Sequence, residues 1–162
     1  MKWANSIPWI IAVSGWFATH AFSEGRERRK EIKAQLEKLN GRFIAIESKA
    51  ITFHTNTEFN SALARELTSE LDRIERAISR IQILSVKLLL PFIISHKRSI
   101  TLQNFDCSDF QQQDCGGELV QEITNATMAI EDEIERQYLE HYPSTFPYFR
   151  WPGIIKFFLF WR

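Results

Sequence analysis

An all-α fold is predicted for this chain: an N-terminal transmembrane helix, a coiled-coil-like helical bundle or hairpin, and an aromatic tail suited to a membrane interface. Three observations predict it. Apolar residues recur at alternating spacings of four and three in three separate stretches, the periodicity of a helix with one buried face. The run from Trp3 to Phe22 holds a single titratable side chain, His20. The last seventeen residues, Phe146 to Arg162, hold eight aromatic rings. At 162 residues with 25% charged, the chain is long enough for one domain with a core and has neither a disordered nor a polytopic composition. The predicted layout is an anchor over residues 1–25, a helical hairpin or coiled coil over 26–98, a polar loop over 99–117, a third helix over 118–142 and an aromatic interfacial tail over 143–162.

The anchor segment reads WANSIPWIIAVSGWFATHAF. At about 1.5 Å per residue such a helix matches the roughly 30 Å hydrocarbon core of a bilayer. Pro8 falls in the first turns, where a missing N–H costs least, and Trp3, Trp9 and Trp16 are residues that favour headgroup depth. Thr19-His20-Ala21 loosely fits a small-residue cleavage site, but the basic run Arg26, Arg28, Arg29, Lys30 resists export, so a retained signal-anchor is expected. Lys2 alone precedes the segment, whereas Arg26 to Arg42 supply seven cations after it, which predicts a single-pass protein with its N-terminus outside and its body cytoplasmic. Ser14 with Ala18 and Gly15 with Thr19 form small-residue pairs four apart, a weak sign of helix association.

In the body, Ile32, Leu36, Leu39, Phe43 and Ile46 begin a stripe that continues through Ala50 and Phe53. Thr55 followed by Glu58 has the form of a capping box and predicts a new helix start. A second stripe, Leu67, Leu71, Ile74, Ile78 and Ile81, is the candidate helix-packing surface, serving either the chain's own core or an interface with another chain. Ile81 to Ile94 is apolar on most faces. With Lys87 inside it and Pro91 near its end it is too short for a span, and is expected to be a buried helix end or a segment lying in the membrane. His96, Lys97 and Arg98 would suit a helix C-terminus, where cations meet the negative end of the dipole. After the polar loop, Val120, Ile123, Thr127, Ile130 and Ile134 mark the third helix, stopped by His141 and Pro143.

In the tail, Pro147, Pro152 and Gly153 leave Ile154 to Trp161 as one apolar unit of about 12 Å by helical rise, too short to cross a bilayer. Trp151, Phe157, Phe158 and Trp161 among Arg150, Lys156 and Arg162 are candidate membrane contacts at headgroup depth. The formal charge is zero, which gives no global pull toward nucleic acid, yet its distribution is uneven. From Ser23 to Ala50 eight Lys or Arg face five Glu, whereas from Asn104 to Glu140 ten acids accompany only Arg136. An acidic helix beside a basic one accounts for this; so does a basic stretch on anionic lipid.

No P-loop, dinucleotide turn, HExxH or nucleophile elbow occurs, and Cys107 and Cys115 flank seven residues, which is not a usual zinc spacing. No enzyme, cofactor or metal is therefore expected, and Asn125-Ala126-Thr127 carries no weight as a sequon in a cytoplasmic body. The expected partners are membrane lipids and either further copies of the chain or another protein through the heptad helices. Two function classes remain. One is a membrane-anchored assembly or effector protein acting by self-association and contact with the bilayer; the other is a non-catalytic accessory subunit that tethers a larger complex to the membrane.

Overall fold

A computed structural model describes residues 7–143 as four helices: α1 (Ile7–Thr55), α2 (Ser61–Arg80), α3 (Val86–Thr101) and α4 (Glu118–His141). Among the described residues there is no strand. Helix α1 packs on α2 and α4, and α3 packs on α2 and α4, so the four close a ring around one core. The 49 residues of α1 run unbroken from the anchor segment into the first stripe. Gly25 does not interrupt it, since an internal glycine costs only about 1 kcal/mol relative to alanine.

The transmembrane anchor is not supported. Among the described residues no helix is long and apolar enough to cross a membrane. The reason lies in composition: Ser14, Gly15, Thr19, His20, Ser23 and Glu24 dilute the aliphatic run Ile10 to Val13, and the tryptophans carry a polar N–H. The designations membrane, transmembrane helix and signal-anchor lose the structural basis the sequence had suggested. Trp3 and residues 144–162, with Trp151, Phe157, Phe158 and Trp161, lie outside the described residues.

The stripes meet in the core. Leu39, Phe43, Ile46, Ala50 and Phe53 of α1 are buried against the same cluster as Leu67, Leu71, Ile74, Ile78 and Ile81. The hairpin is antiparallel, because Arg28 donates to Gln82 at 2.7 Å near one end while Lys49 pairs with Glu66 at 2.5 Å near the other. The α2 seam is thus filled by its own chain, and association between chains would have to use another surface.

The predicted capping box at Thr55 does not form. Thr55 closes α1, its hydroxyl donating back to the Ile51 carbonyl at 2.8 Å. The start of α2 is capped instead by Asn60, whose side-chain oxygen accepts the N–H groups of Ala62 and Leu63, both at 3.1 Å. Asparagine satisfies two orphan donors here, and Phe59 beside it stacks edge-on against Phe53, setting the direction of the chain.

The apolar stretch Ile81 to Ile94 resolves into two parts. Ile81 ends α2 in an extended conformation, Leu84 is buried in the turn, and α3 begins after Ser85. Leu89, Ile93 and Ile100 face the core while Val86, Leu88, Leu90 and Ile94 are exposed, and α3 continues through Pro91. The backbone N–H of Ser85 reaches Gln137 of α4 at 2.7 Å. Gln137 in turn donates to Glu133, which also accepts from Arg136, so buried polar groups tie α4 to the α2–α3 turn. Of the cations after Ile94, Arg98 lies in the last turn of α3 as predicted, while the other two serve the packing. His96 is buried edge-on to Phe43, and Lys97 bridges to Asp72 and Glu75 of α2 at 3.2 and 2.5 Å.

The polar connection, residues 102–117, has a packing reason for its length. The last carbonyls of a helix lack intrahelical partners, and the loop supplies them: Gln113 N–H donates to His54 O at 2.8 Å and the Gln112 amide to Thr55 O at 3.0 Å. Asn104, at φ 54°, exchanges two hydrogen bonds with the Gln111 backbone and holds the loop closed. Phe105 and Phe110 then seal the end of the core against Phe53. His54 sits beneath them with Nε2 3.0 Å from Ile100 O and Nδ1 3.4 Å from the Asn104 amide nitrogen. A neutral ring protonated at Nε2 satisfies both contacts. In α4 the predicted stripe is buried, and Thr127 resolves its polar place in it by donating to Ile123 O at 2.9 Å.

Two outcomes follow from this core. Leu71→Asp with Ile78→Asp places two carboxylates where exposure is 4% and 0%, at a cost of several kcal/mol, and is expected to abolish cooperative unfolding by circular dichroism. An unchanged melt would contradict the packing. Burial lowers the pKa of His96 from 6.5 to about 4 and lowers that of His54, with the Ile100 bond opposing. Between these limits the unfolded chain binds more protons than the folded one, so stability present above pH 6.5 falls as pH drops toward 4, by on the order of 3 kcal/mol for His96. His96→Leu should flatten that acid limb in denaturant titrations; a parallel limb would refute the assignment.

Candidate functional site

Chemistry-bearing side chains are dispersed. Among the described residues no group of three or more His, Cys, Asp or Glu could hold a metal ion. Cys107 and Cys115 are free and exposed, so the structure does not join them in a disulfide. His54 and His96 are core residues, His20 stacks on Trp16 with centroids 5.5 Å apart, and His141 packs edge-on to Tyr142. Glu131 carries a buried carboxylate oxygen without a hydrogen bond. Its pKa is raised by burial and then by the neighbouring Glu47 and Asp132. It lies in a cleft of about 390 Å³ between α1 and α4. Although α4 is acidic and α1 largely basic, no ion pair joins them among the described residues. Their polar contacts are Thr124 to Glu47 at 2.7 Å and Arg29 to the Tyr138 hydroxyl at 3.5 Å.

The feature that stands apart from the bundle is the N-terminal part of α1. Among the described residues Arg28 and Arg29 make its first hydrogen bonds to the rest of the bundle, and Ile32 is its first buried apolar residue. From Ile7 to Arg28 the helix extends roughly 30 Å at 1.5 Å per residue. Along this arm Trp9, Val13 and Trp16 are 75%, 52% and 61% exposed. Their spacing of four and three places all three on one face. Local contacts stiffen the arm: Thr19 donates to Gly15 O at 2.8 Å, and His20 lies 3.4 Å from Glu24. At its base Arg29 sits over the Tyr142 ring, 5.4 Å from the centroid, and Lys30 pairs with Glu27 at 2.9 Å.

The structure therefore separates the candidate residues. Trp9 and Trp16 come together on the arm, whereas Leu67, Leu71, Ile74, Ile78 and Ile81 come together in the core, far along the chain from it. The sequence had placed the tryptophans in a span; it carried no sign that the helix would continue past them as a rigid part of the bundle. Compared with known proteins, the chain matches no family model, no curated protein and no solved structure.

Proposed function

We propose that this chain is a non-catalytic helical protein that acts at a membrane surface, the bundle serving as a platform and the arm of α1 as its contact with the bilayer. The observation that carries the reading is the exposed face of Trp9, Val13 and Trp16 on a helix that outruns its bundle, with Arg26, Arg28, Arg29 and Lys30 next along the same helix. Indole rings favour headgroup depth and the cations favour anionic phosphates, so an arm unable to cross can still lie in the interface. A surplus of Lys and Arg at its base supports a body on the cytoplasmic, anionic leaflet. The aromatic tail would add a second contact, and assembly of several copies would multiply both.

A second reading, an accessory subunit of a larger complex, is favoured by the exposed Val86, Leu90 and Ile94 of α3. Flotation of the full chain with phosphatidylserine vesicles separates the two. Trp9→Ser with Trp16→Ser should weaken binding at least roughly tenfold, about 1.4 kcal/mol, without loss of helicity. Leu90→Ser with Ile94→Ser should leave it unchanged. Failure of the full chain to float, or undiminished flotation both in the tryptophan variant and after removal of Trp151 to Arg162, would overturn the membrane reading.

A further inference from the structure

A cleft of about 440 Å³ runs between α1 and α2, and five of its lining residues are cations: Lys38, Arg42, Arg73, Arg76 and Arg80. No acid lines it. The spacing shows how the helices build it. Lys38 and Arg42 are one turn apart on α1, and Arg73, Arg76 and Arg80 are three and four apart on α2, so each helix offers one basic ridge beside its apolar stripe. The antiparallel register set by Arg28 with Gln82 and Lys49 with Glu66 places Lys38 level with Arg76 and Arg42 level with Arg73. Leu39 and Ile81, both buried, form an apolar floor.

Three of the four acids of α2 are turned elsewhere. Asp72 and Glu75 are drawn to Lys97 on α3, and Glu66 to Lys49. Only Arg73 has a carboxylate, Glu70 at 3.2 Å. Lys38, Arg42, Arg76 and Arg80 make no ion pair among the described residues. Like charges gathered in one concavity repel, and packed helices bring such ridges within about a Debye length of each other. Nothing in the packing requires this, because the core beneath is complete without the charged ends.

We propose that this cleft binds a small anion bearing two or more phosphate groups. Guanidinium groups pair with phosphate oxygens in bidentate fashion, and the facing ridges can grip one ligand from both sides. The volume is that of a small-molecule site, and a concave pocket suits a compact anion better than the open face a nucleic-acid backbone needs. The ligand is either a soluble polyphosphate or the phosphorylated headgroup of a lipid. The proposal does not use the arm of α1, so it stands or falls apart from the membrane reading.

The test is calorimetric titration of the full chain with inorganic triphosphate, and with phosphatidylcholine vesicles carrying phosphatidylinositol bisphosphate or, at equal charge, phosphatidylserine. Binding of triphosphate identifies a soluble source; preference for the bisphosphate lipid over phosphatidylserine identifies a headgroup. In either case Arg76→Gln with Arg80→Gln should weaken binding at least roughly tenfold, while Lys87→Gln with Arg98→Gln, cations of α3, should not. The melting temperature of the free Arg76→Gln, Arg80→Gln variant should equal or exceed that of the wild type, since repulsion is relieved. No binding of either probe would overturn the proposal. So would equal loss in the two variants, full binding by the cleft variant, or tighter binding of duplex DNA than of either phosphate.

Discussion

Helix α1 is more than twice as long as any helix that packs on it, and this mismatch governs the remaining architecture. It has 49 residues, whereas α2, α3 and α4 have 20, 16 and 24. Helices of those lengths cover about 30, 24 and 36 Å, so they can enclose only part of a helix of about 74 Å. The apolar stripe of α1 is placed accordingly, from Ile32 to Phe53, and the partners close around that stretch. The bundle holds one end of α1 and leaves the other beyond its reach.

At the held end, packing and hydrogen bonding reinforce each other. The C-terminal carbonyls of α1 need donors, and the α3–α4 connection brings them. That loop carries Gln112 and Gln113 to the helix end and Phe105 and Phe110 over the core, and Asn104 locks it by pairing with Gln111. His54 joins the three elements at one point, with Ile100 on one nitrogen and Asn104 on the other. A polar ring in a core is tolerable because both nitrogens are engaged, whereas His96, whose Nε2 has no hydrogen-bond partner, is the weaker point of the same core under acid.

What the sequence disclosed was periodicity. The stripes of α1, α2 and α4 are local, repeat over several turns and lie in the core at the residues read from spacing alone. Helix α3 was missed as a separate helix because Val86 to Ile94 is apolar on most faces, so no stripe distinguishes the buried Leu89 and Ile93 from the exposed Leu90 and Ile94. Asn60 was missed as a cap because Thr55 and Glu58 matched a stronger local pattern, whereas α2 starts only after Asn60, which accepts from Ala62 and Leu63. The anchor was read from length and the absence of charge, yet small and polar residues between the aliphatics lower its hydropathy below that of a span. The basic cleft was invisible for a different reason. Its two ridges lie some forty residues apart in sequence, each looking like a solvated helix face, and become one surface only when the antiparallel register is known.

The same geometry joins fold to function: a buried half of α1 gives rigidity and an exposed half gives reach. Amide hydrogen exchange on the full chain, read residue by residue with and without anionic vesicles, distinguishes the two halves. In solution strong protection is expected for α1 from Ile32 to Phe53, where tertiary packing supports the helix, and weak protection from Trp9 to Glu24, which precedes that packing. Vesicles should raise protection of the second stretch alone. Uniform protection along α1 in solution, or an arm whose exchange is indifferent to vesicles while the bundle responds, would contradict this division.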